Sequence, residues 1–505
     1  MYSERLPRAG LAREALRQKG QFWTPAWVAE AMVAYAVGGG SDHVFDPAVG
    51  AGAFFLAAKA IASEGGRTLT LLGTEIDPDA LQQSLRSELT EGDLAHVEIT
   101  DFVLRPPKGM FKAIVANPPY IRHHRLSSDT KSHLRRFGAE LIGTPLDGRA
   151  GLHIYFLLVA LRLLNADGRL AFIMPADTCE GVFAAALWKW ITSNYRLEAV
   201  VTFAPEATPF PGVDTNAIIF MIRNAKPGEH FLWAVCTETQ TTELKEWALS
   251  ELAGTPRHGI SLCQRSLSEG LATGFSRPPM EAQAARPALG DFARTMRGIA
   301  TGANEFFFLT PGQAATLGIP DEFLVPAIGR TRDVPGDEIS SATLRALEEK
   351  GRPTLLFAPD GRPIDGFPPA VVEYLKRGEQ MGVNTRPLVS TRCPWYKMEV
   401  RRVPPILFAY LGRRNARFIR NVAGVAPLTG FICLYPHRDG PDFIRRLWGV
   451  LQHPQTQANL RLVGKSYGAG AIKVEPRALE RLPLPVAVMS EIGLELPAEQ
   501  QPLLL

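Results

Sequence analysis

The sequence predicts an α/β domain with a mainly parallel sheet, followed by a second, loop-rich domain. Two observations carry this. Over about the first 230 residues, short apolar runs rich in β-branched and aromatic residues alternate with stretches of helical spacing. The length of 505 residues also exceeds what one core organises, at roughly 100–200 residues per domain. Hydrophobic residues make up 46% and charged residues 21%, the balance of a globular chain with sizeable cores rather than a disordered or fibrous one.

Taken in order, Ala26 to Val37 has helical spacing behind Thr24-Pro25, which sets a cap and a first turn. His43–Val49, Leu69–Asp77, His96–Phe102 and Phe111–Asn117 read as strands, with helix-compatible segments between the first three. Leu152–Leu164 is an amphipathic helix stopped by Asn165-Ala-Asp-Gly168, and Arg169–Met174, Leu197–Phe203 and Ala217–Arg223 are further strands. Beyond residue 230 the alternation fades, and Gly274–Asp291 reads as a connector because its prolines and glycines resist both helix and sheet. The expected organisation is a first domain over 1–230, a connecting region over 231–290 and a second domain over 291–505.

The net charge of +4 excludes an all-over polycation, so affinity for an acidic polymer requires locally gathered charge. Cysteines 179, 236, 263, 393 and 433 contain no C-x-x-C pair, so neither a zinc site nor a disulfide framework is expected, and no metal. Met1–Gly20 mixes Arg5, Arg8, Arg13, Arg17 and Lys19 with acids and lacks the apolar core of a secretory signal. Glu30 breaks the best apolar run, which leaves no membrane span. A cytoplasmic chain with reduced thiols and no membrane contact is the expectation.

The first strand runs into Asp46-Pro47-Ala-Val-Gly50-Ala-Gly52-Ala-Phe54 and then a helix. Glycines at such a turn let the backbone approach a ligand at the carboxyl end of the sheet. The dinucleotide pattern G-x-G-x-x-G is excluded, because Phe55 stands at the third glycine and Asp46 would repel a pyrophosphate. A ligand with an ammonium group and no phosphate suits the turn, and S-adenosyl-L-methionine is one. Glu75, 23 residues after Gly52 and followed by Ile76, stands where a ribose-binding carboxylate is expected. Asp101 is placed to take an adenine amino group, and Phe102 to cover the ring. Each acid alone could be a solvated loop or cap residue; three at successive strand ends mark a binding edge.

The fourth strand runs into Asn117-Pro118-Pro119-Tyr120. Here the sequence resembles the N6-adenine DNA methyltransferases, specifically the gamma-type enzymes of type II restriction-modification systems, from about residue 14 to residue 225 in family order. Gly20-Gln-Phe-Trp-Thr24-Pro25 resembles the segment that folds over the methionine moiety, which places Thr24 at the cofactor. Gly168–Pro175 resembles the next strand, and Phe210-Pro-Gly-Val-Asp-Thr-Asn216 the last motif. The resemblance implies a Rossmann-like S-adenosylmethionine-dependent methyltransferase domain and a C-terminal mixed α+β target-recognition domain. It also implies double-stranded DNA as substrate, a cognate restriction endonuclease in the same system, and a monomer on DNA.

The chemistry follows from the residue types. The exocyclic amine of adenine is a poor nucleophile because its lone pair is delocalised. If the Asn117 side-chain oxygen and the Pro118 carbonyl each accept one amino hydrogen, the lone pair is exposed for direct transfer. Two prolines fix these acceptors in place, each worth roughly 3–4 kcal/mol in the transition state by analogy with single oxyanion-hole donors. The target base must leave the duplex, and the resemblance gives its two faces to Tyr120 and Phe210. Asn-Pro alone is a common turn; the acids and glycines upstream are what set this one apart.

Two basic segments are candidate DNA contacts. Arg122, His123, His124, Arg125, Lys131, His133, Arg135 and Arg136 follow the Asn-Pro-Pro-Tyr loop, with Arg122 and Arg125 assigned to flanking phosphates. Residues 392–420 hold Arg392, Lys397, Arg401, Arg402, Arg413, Arg414, Arg417 and Arg420 against one acid, Glu399, interleaved with Trp395, Tyr396, Phe408, Tyr410 and Phe418. That mixture suits a DNA surface in which Arg413, Arg414 and Arg417 take part, although core packing also accounts for the aromatics. Segments 297–306 and 465–470 carry small residues that allow close backbone approach. About 20 residues precede the first motif, so no N-terminal endonuclease domain is expected. Two alternatives remain open: a protein glutamine-N5 methyltransferase, which shares Asn-Pro-Pro-Tyr, and a DNA-binding modification subunit that needs partner chains.

Overall fold

The structure is a computed structural model. It describes residues 23–496 except 87, 122, 124–125, 180–182, 212–215, 257, 278–286, 400, 410–415 and 468–470. It divides into two compact units, Met1–Glu281 and Ala282–Leu505.

The first unit is built on a nine-stranded sheet: β1 (His43–Asp46), β2 (Thr70–Glu75), β3 (Val97–Ile99), β4 (Phe111–Ala116), β5 (Leu164–Pro175), β6 (Arg196–Phe203), β7 (Ala217–Arg223), β8 (His230–Cys236) and β9 (Ile260–Ser266). Their spatial order is β3-β2-β1-β4-β5-β7-β6-β8-β9. The strands from β3 to β5 are parallel, and β7 is antiparallel to both its neighbours. The order reverses between β1 and β4, so the chain leaves these two adjacent strands in opposite directions and opens a crevice at their carboxyl ends.

Both faces of the sheet are covered, which is why the central strands read as nearly continuous apolar runs. With a side-chain period of two, Val44, Ala113, Val115, Ala171 and Ile173 join one core with the helices α1 (Ala26–Val37) and α2 (Ala53–Glu64). Their neighbours Phe45, Ile114, Ala116, Leu170 and Phe172 join the other. Further helices are α3 (Pro78–Leu85), α4 (Ser128–Ile142), α5 (Leu152–Arg162), α6 (Ala184–Asn194), α7 (Glu243–Leu249) and α8 (Leu267–Thr273). Asn165–Gly168 is a bulge: Phe111 pairs with Leu164 and Ala113 with Arg169, so the residues between loop out.

Two expectations are corrected. Pro25 is the N-cap of α1 without a side-chain cap bond; the Thr24 hydroxyl is engaged elsewhere. The connecting region over 231–290 instead belongs to the first unit as far as Glu281 and extends its sheet, since β8 lies parallel to β6 and β9 lies antiparallel to β8. Trp233 donates its indole N–H to the Phe275 carbonyl at 2.9 Å, and the buried Arg265 bonds Glu269 and the Arg277 carbonyl at 2.7 Å each. These contacts tie the segment together internally, and the pairing of β8 with β6 fastens it to the rest of the first unit.

The second unit is mixed α+β. It has a five-stranded sheet in the order β10 (Ala293–Arg297), β18 (Phe431–Pro436), β15 (Ile406–Ala409), β16 (Arg417–Asn421), β13 (Glu338–Ile339), a four-stranded sheet in the order β11 (Phe308–Leu309), β14 (Leu355–Phe357), β12 (Leu324–Ile328), β17 (Ala426–Pro427), and a hairpin of β19 (Lys465–Tyr467) and β20 (Ala471–Lys473). The basic segment 392–420 runs through β15 (Ile406–Ala409) and β16 (Arg417–Asn421), which with β18 (Phe431–Pro436) feed alternate residues into two cores. No helix among the described residues is long and apolar enough to cross a membrane.

Candidate active site

The glycine turn after β1 needs its glycines for two different reasons. Gly50 and Gly52 have φ of 53° and 81°, in the left-handed region. At Gly52, the N-cap of α2, a Cβ would also lie 2.2 Å from Leu89 Cδ1. The turn is stapled to the end of β2. Glu75 Oε2 accepts the Gly50 N–H at 2.8 Å, and Oε1 accepts the N–H groups of Ile76 and Asp77 at 2.8 and 2.9 Å. Thr74 Oγ1 donates to the Pro47 carbonyl at 2.7 Å. The sequence offers Glu75 only as a ribose acceptor. Its work in holding two loops together has no local signature, because its partners are backbone amides.

Asp46 is fully buried. Its Oδ1 accepts the Ala48 N–H at 3.0 Å, while Oδ2 has no hydrogen-bond partner. Burial pushes the carboxyl up to about 8, and the neighbouring Glu75 adds to the shift. A buried carboxylate oxygen with nothing to bind fits a cationic ligand at this turn, as an ammonium group provides. Ile76 is 65% exposed beside Glu75, a large apolar side chain left uncovered at the binding edge.

Asp101 and Phe102 behave differently. Asp101 Oδ1 caps the following turn, accepting the N–H groups of Val103 and Leu104 at 2.9 and 3.0 Å. Phe102 is 2% exposed and packs against Phe45 and Phe156, with ring centroids 6.0 and 5.2 Å apart. The expectation that Phe102 covers an adenine ring is corrected, because a ring enclosed by the core has no open face to offer.

At the end of β4, Asn117 Nδ2 donates to Thr24 Oγ1 at 3.1 Å. Thr24 is buried, and the amide is placed with its nitrogen toward Thr24 and its oxygen on the opposite side. This partnership joins residues 93 positions apart and has no local trace in the chain. The loop is stiff: Pro118 is buried, and neither proline has an N–H to place. Tyr120 donates its hydroxyl to the Ile173 carbonyl at 3.1 Å, and burial, with a smaller push from Asp177, raises the phenol well above its ordinary value. The Leu152 N–H bonds the Ile121 carbonyl at 3.0 Å and docks the loop on the start of α5. Phe210 is 5% exposed, in the core that includes Ala207 and Ala217. His153, which no sequence motif marks, lies edge-on to Tyr120 with centroids 6.0 Å apart.

Of the basic residues, Arg122, His124, Arg125, Arg413 and Arg414 lie outside the described residues. His133, Arg135 and Arg136 are exposed on α4, whose buried positions are Leu134 and Gly138. The described residues of the segment 392–420 do not form the open surface its composition suggests. Tyr396, Phe408 and Phe418 are core residues. Arg392 donates to the carbonyls of Ala300 and Thr301 at 2.6 and 2.9 Å, Arg401 binds Glu399 and the Arg297 carbonyl, and Arg402 pairs with Asp439. Arg417, assigned to DNA from sequence, is half-buried on β16 with its guanidinium on the Val334 carbonyl and beside Asp337. That assignment is corrected: the charge is engaged within the unit. Gly298 likewise serves internal packing, since a Cβ there would lie 2.2 Å from the Leu428 carbonyl oxygen. No group of three His, Cys, Asp or Glu side chains able to hold a metal occurs among the described residues.

A switch-point crevice with a glycine turn, an orphaned buried acid and an antiparallel β7 defines an S-adenosylmethionine-dependent methyltransferase fold. Residues 9–251 match the N-6 DNA methylase family, and residues 279–500 match the C-terminal domain of the type II methyltransferase M.Eco57I. The chain belongs to the N6-adenine DNA methyltransferases. It is similar to the type II methyltransferase M.AccI of Acinetobacter calcoaceticus, 23% identical over 96% of this chain and 87% of that one. It is also similar to M.XamI of Xanthomonas campestris pv. amaranthicola, 27% identical over 92% and 85%. Its fold resembles that of MmeI, a type IIL restriction-modification enzyme solved in complex with DNA. The TM-score is 0.53 at 12% identity, over 90% of this chain and 65% of that longer one.

Proposed function

We propose that this protein is a site-specific DNA adenine-N6 methyltransferase, the modification enzyme of a type II restriction-modification system. It acts in the cytoplasm as a monomer on double-stranded DNA, with a cognate restriction endonuclease as its counterpart. The observation that carries the reading is the Asn117 amide, clamped by Thr24 at the carboxyl end of β4, with the buried Asp46 carboxyl and its unpartnered Oδ2 at the end of the neighbouring β1.

The residues divide the work. Asn117 Oδ1 and the Pro118 carbonyl accept the two amino hydrogens of the target adenine and free its lone pair. Because Thr24 and Pro119 hold these acceptors before the base arrives, little reorganisation is left for the transition state. Tyr120 takes one face of a base drawn out of the duplex, and Phe210, which is 5% exposed in the ligand-free protein, takes the other once it turns out of its core. Asp46 faces the methionine ammonium beside Thr24, Pro47, Gly50 and Gly52, while Glu75, Ile76 and Asp101 serve the ribose and adenine edge. S-adenosylmethionine, when bound, supplies an electrophilic methyl group. Arg122, Arg125 and the exposed face of α4 contact flanking phosphates, and the second unit, with Arg413 and Arg414, reads the target sequence. Glutamine methylation in protein would leave the match over residues 279–500 without a role.

The test is to express the chain in a host that lacks adenine methylation and to map modified bases genome-wide. The expected result is N6-methyladenine at one short sequence. Modification of cytosine, or of no base, contradicts the proposal.

A further inference from the structure

His153 is a buried polar group at the catalytic loop with no part in the reaction described so far. It is the second residue of α5, and its side chain folds back over Gly151. A Cβ at Gly151 would lie 2.6 Å from the imidazole Cε1, 2.8 Å from its Nδ1 and 3.0 Å from the Ile121 carbonyl oxygen. The ring is therefore packed onto the loop that follows Tyr120, and it meets the Tyr120 ring at 71°. It is 6% exposed, and neither nitrogen has a hydrogen-bond partner. Burial lowers its pKa to about 4, against a smaller opposing pull from Asp177 on the turn after β5. At neutral pH the imidazole thus keeps one N–H and one lone pair, both unspent.

An unsatisfied buried polar group destabilises the fold, and a phenylalanine would fill this space without that penalty. An imidazole here makes sense if a partner reaches it in another state of the protein. On the function proposed above, what reaches this loop is an extruded nucleotide, whose ring nitrogens and phosphate oxygens are hydrogen-bond acceptors. Tyr120 screens the imidazole in the DNA-free protein. A phenol ring that turns about its long axis keeps its hydroxyl in place, so Tyr120 is able to rotate its plane toward a base without giving up the Ile173 carbonyl.

We propose that His153 is a specificity-determining residue whose ring N–H donates to an acceptor atom of the extruded nucleotide once Tyr120 turns to stack on the base. This rests on the DNA-methyltransferase reading. The variants His153→Phe and His153→Asn are compared with the parent protein on duplexes carrying 1-deaza-, 3-deaza- or 7-deazaadenine at the target, and on duplexes with a methylphosphonate at a flanking phosphate. Deaza substitutions report a base nitrogen, and methylphosphonates report a phosphate oxygen.

The parent protein is expected to lose about tenfold in kcat/KM on one of these substrates, the scale of a single hydrogen bond. His153→Phe should lose about as much on the unmodified duplex and nothing further on that one substrate, the signature of direct coupling. His153→Asn, which keeps an N–H donor, should recover part of the loss. If the factors simply multiply on every substrate, or if His153→Phe methylates the unmodified duplex like the parent, the proposal is overturned. His153→Asn carries the same cycle if the phenylalanine variant does not fold. A parent protein that binds S-adenosylmethionine but methylates no adenine defeats the function itself, an outcome distinct from an active parent without coupling.

Discussion

At the carboxyl ends of β1 and β4 the polar groups are few, buried and incompletely used, whereas along 392–420 the charged groups are many and four of the described ones are already engaged. Asp46 holds an unpartnered oxygen inside the first unit. Arg392, Arg401, Arg402 and Arg417 each meet a carboxylate or a carbonyl of their own unit. Hydrogen-bonding capacity left over in a desolvated place points to a ligand, because the protein carries that cost for some state in which it is met. A crowd of arginines says little until their partners are known.

That contrast can be broken by mutation, most severely at the catalytic loop. Asn117→Ala is expected to lower kcat by about 10²–10³ or more, the scale of one fixed transition-state acceptor, with cofactor and DNA affinity retained in binding titrations. Glu75→Ala should follow: it removes the acceptor of three backbone N–H groups. Hydrogen bonds to a charged group are worth about 1.5–3 kcal/mol, so calorimetry should show roughly 10–100-fold weaker cofactor binding together with a lower Tm.

Asp46 makes a prediction with a sign. Its carboxyl holds a proton to about pH 8 in the ligand-free protein, and it must lose that proton to face an ammonium group. Cofactor affinity should therefore rise with pH, by at most about tenfold per unit, and level off near 8. Protons should be released on binding, visible as a buffer-dependent heat, and Asp46→Asn should flatten the profile. The raised value also means that the folded state binds more protons than the unfolded one. Asp46 therefore stabilises the fold below pH 4, and that contribution is lost as pH climbs to 8. Asp46→Asn should accordingly be the more stable protein at pH 8.5.

The smallest effects separate the two basic regions. Arg135→Ala with Arg136→Ala should reduce the salt slope of DNA binding by about one unit for each phosphate no longer neutralised. Arg417→Ala should leave that slope unchanged and instead lower the Tm of the second unit.

How much of this is legible in the sequence follows from the range of each interaction. The strand ends, the glycine turn and the Asn-Pro-Pro-Tyr loop are local patterns, so Asp46 and Gly52 can be placed from spacing and Asn117 from the resemblance its motif carries. Phe102 departs from its expected role because a strand-end aromatic can point to ligand or to core, and only the positions of Phe45 and Phe156 decide which. β8 and β9 lack a clear signal because a seven-residue α7 replaces the longer helices that mark the earlier crossovers. The clamp of Thr24 on Asn117 and the burial of His153 depend on folding and leave no local pattern. The spent arginines follow the same rule, since Val334, Asp337 and Asp439 are far from them in sequence.

The most direct test of the central claim is nucleoside mass spectrometry on duplex DNA incubated with S-adenosylmethionine and either the parent protein or Asn117→Ala. N6-methyladenine should form with the parent protein and fall to background with the variant, while both bind the cofactor equally. N6-methyladenine formed equally by both, or a methyl group found on cytosine alone, would contradict the account.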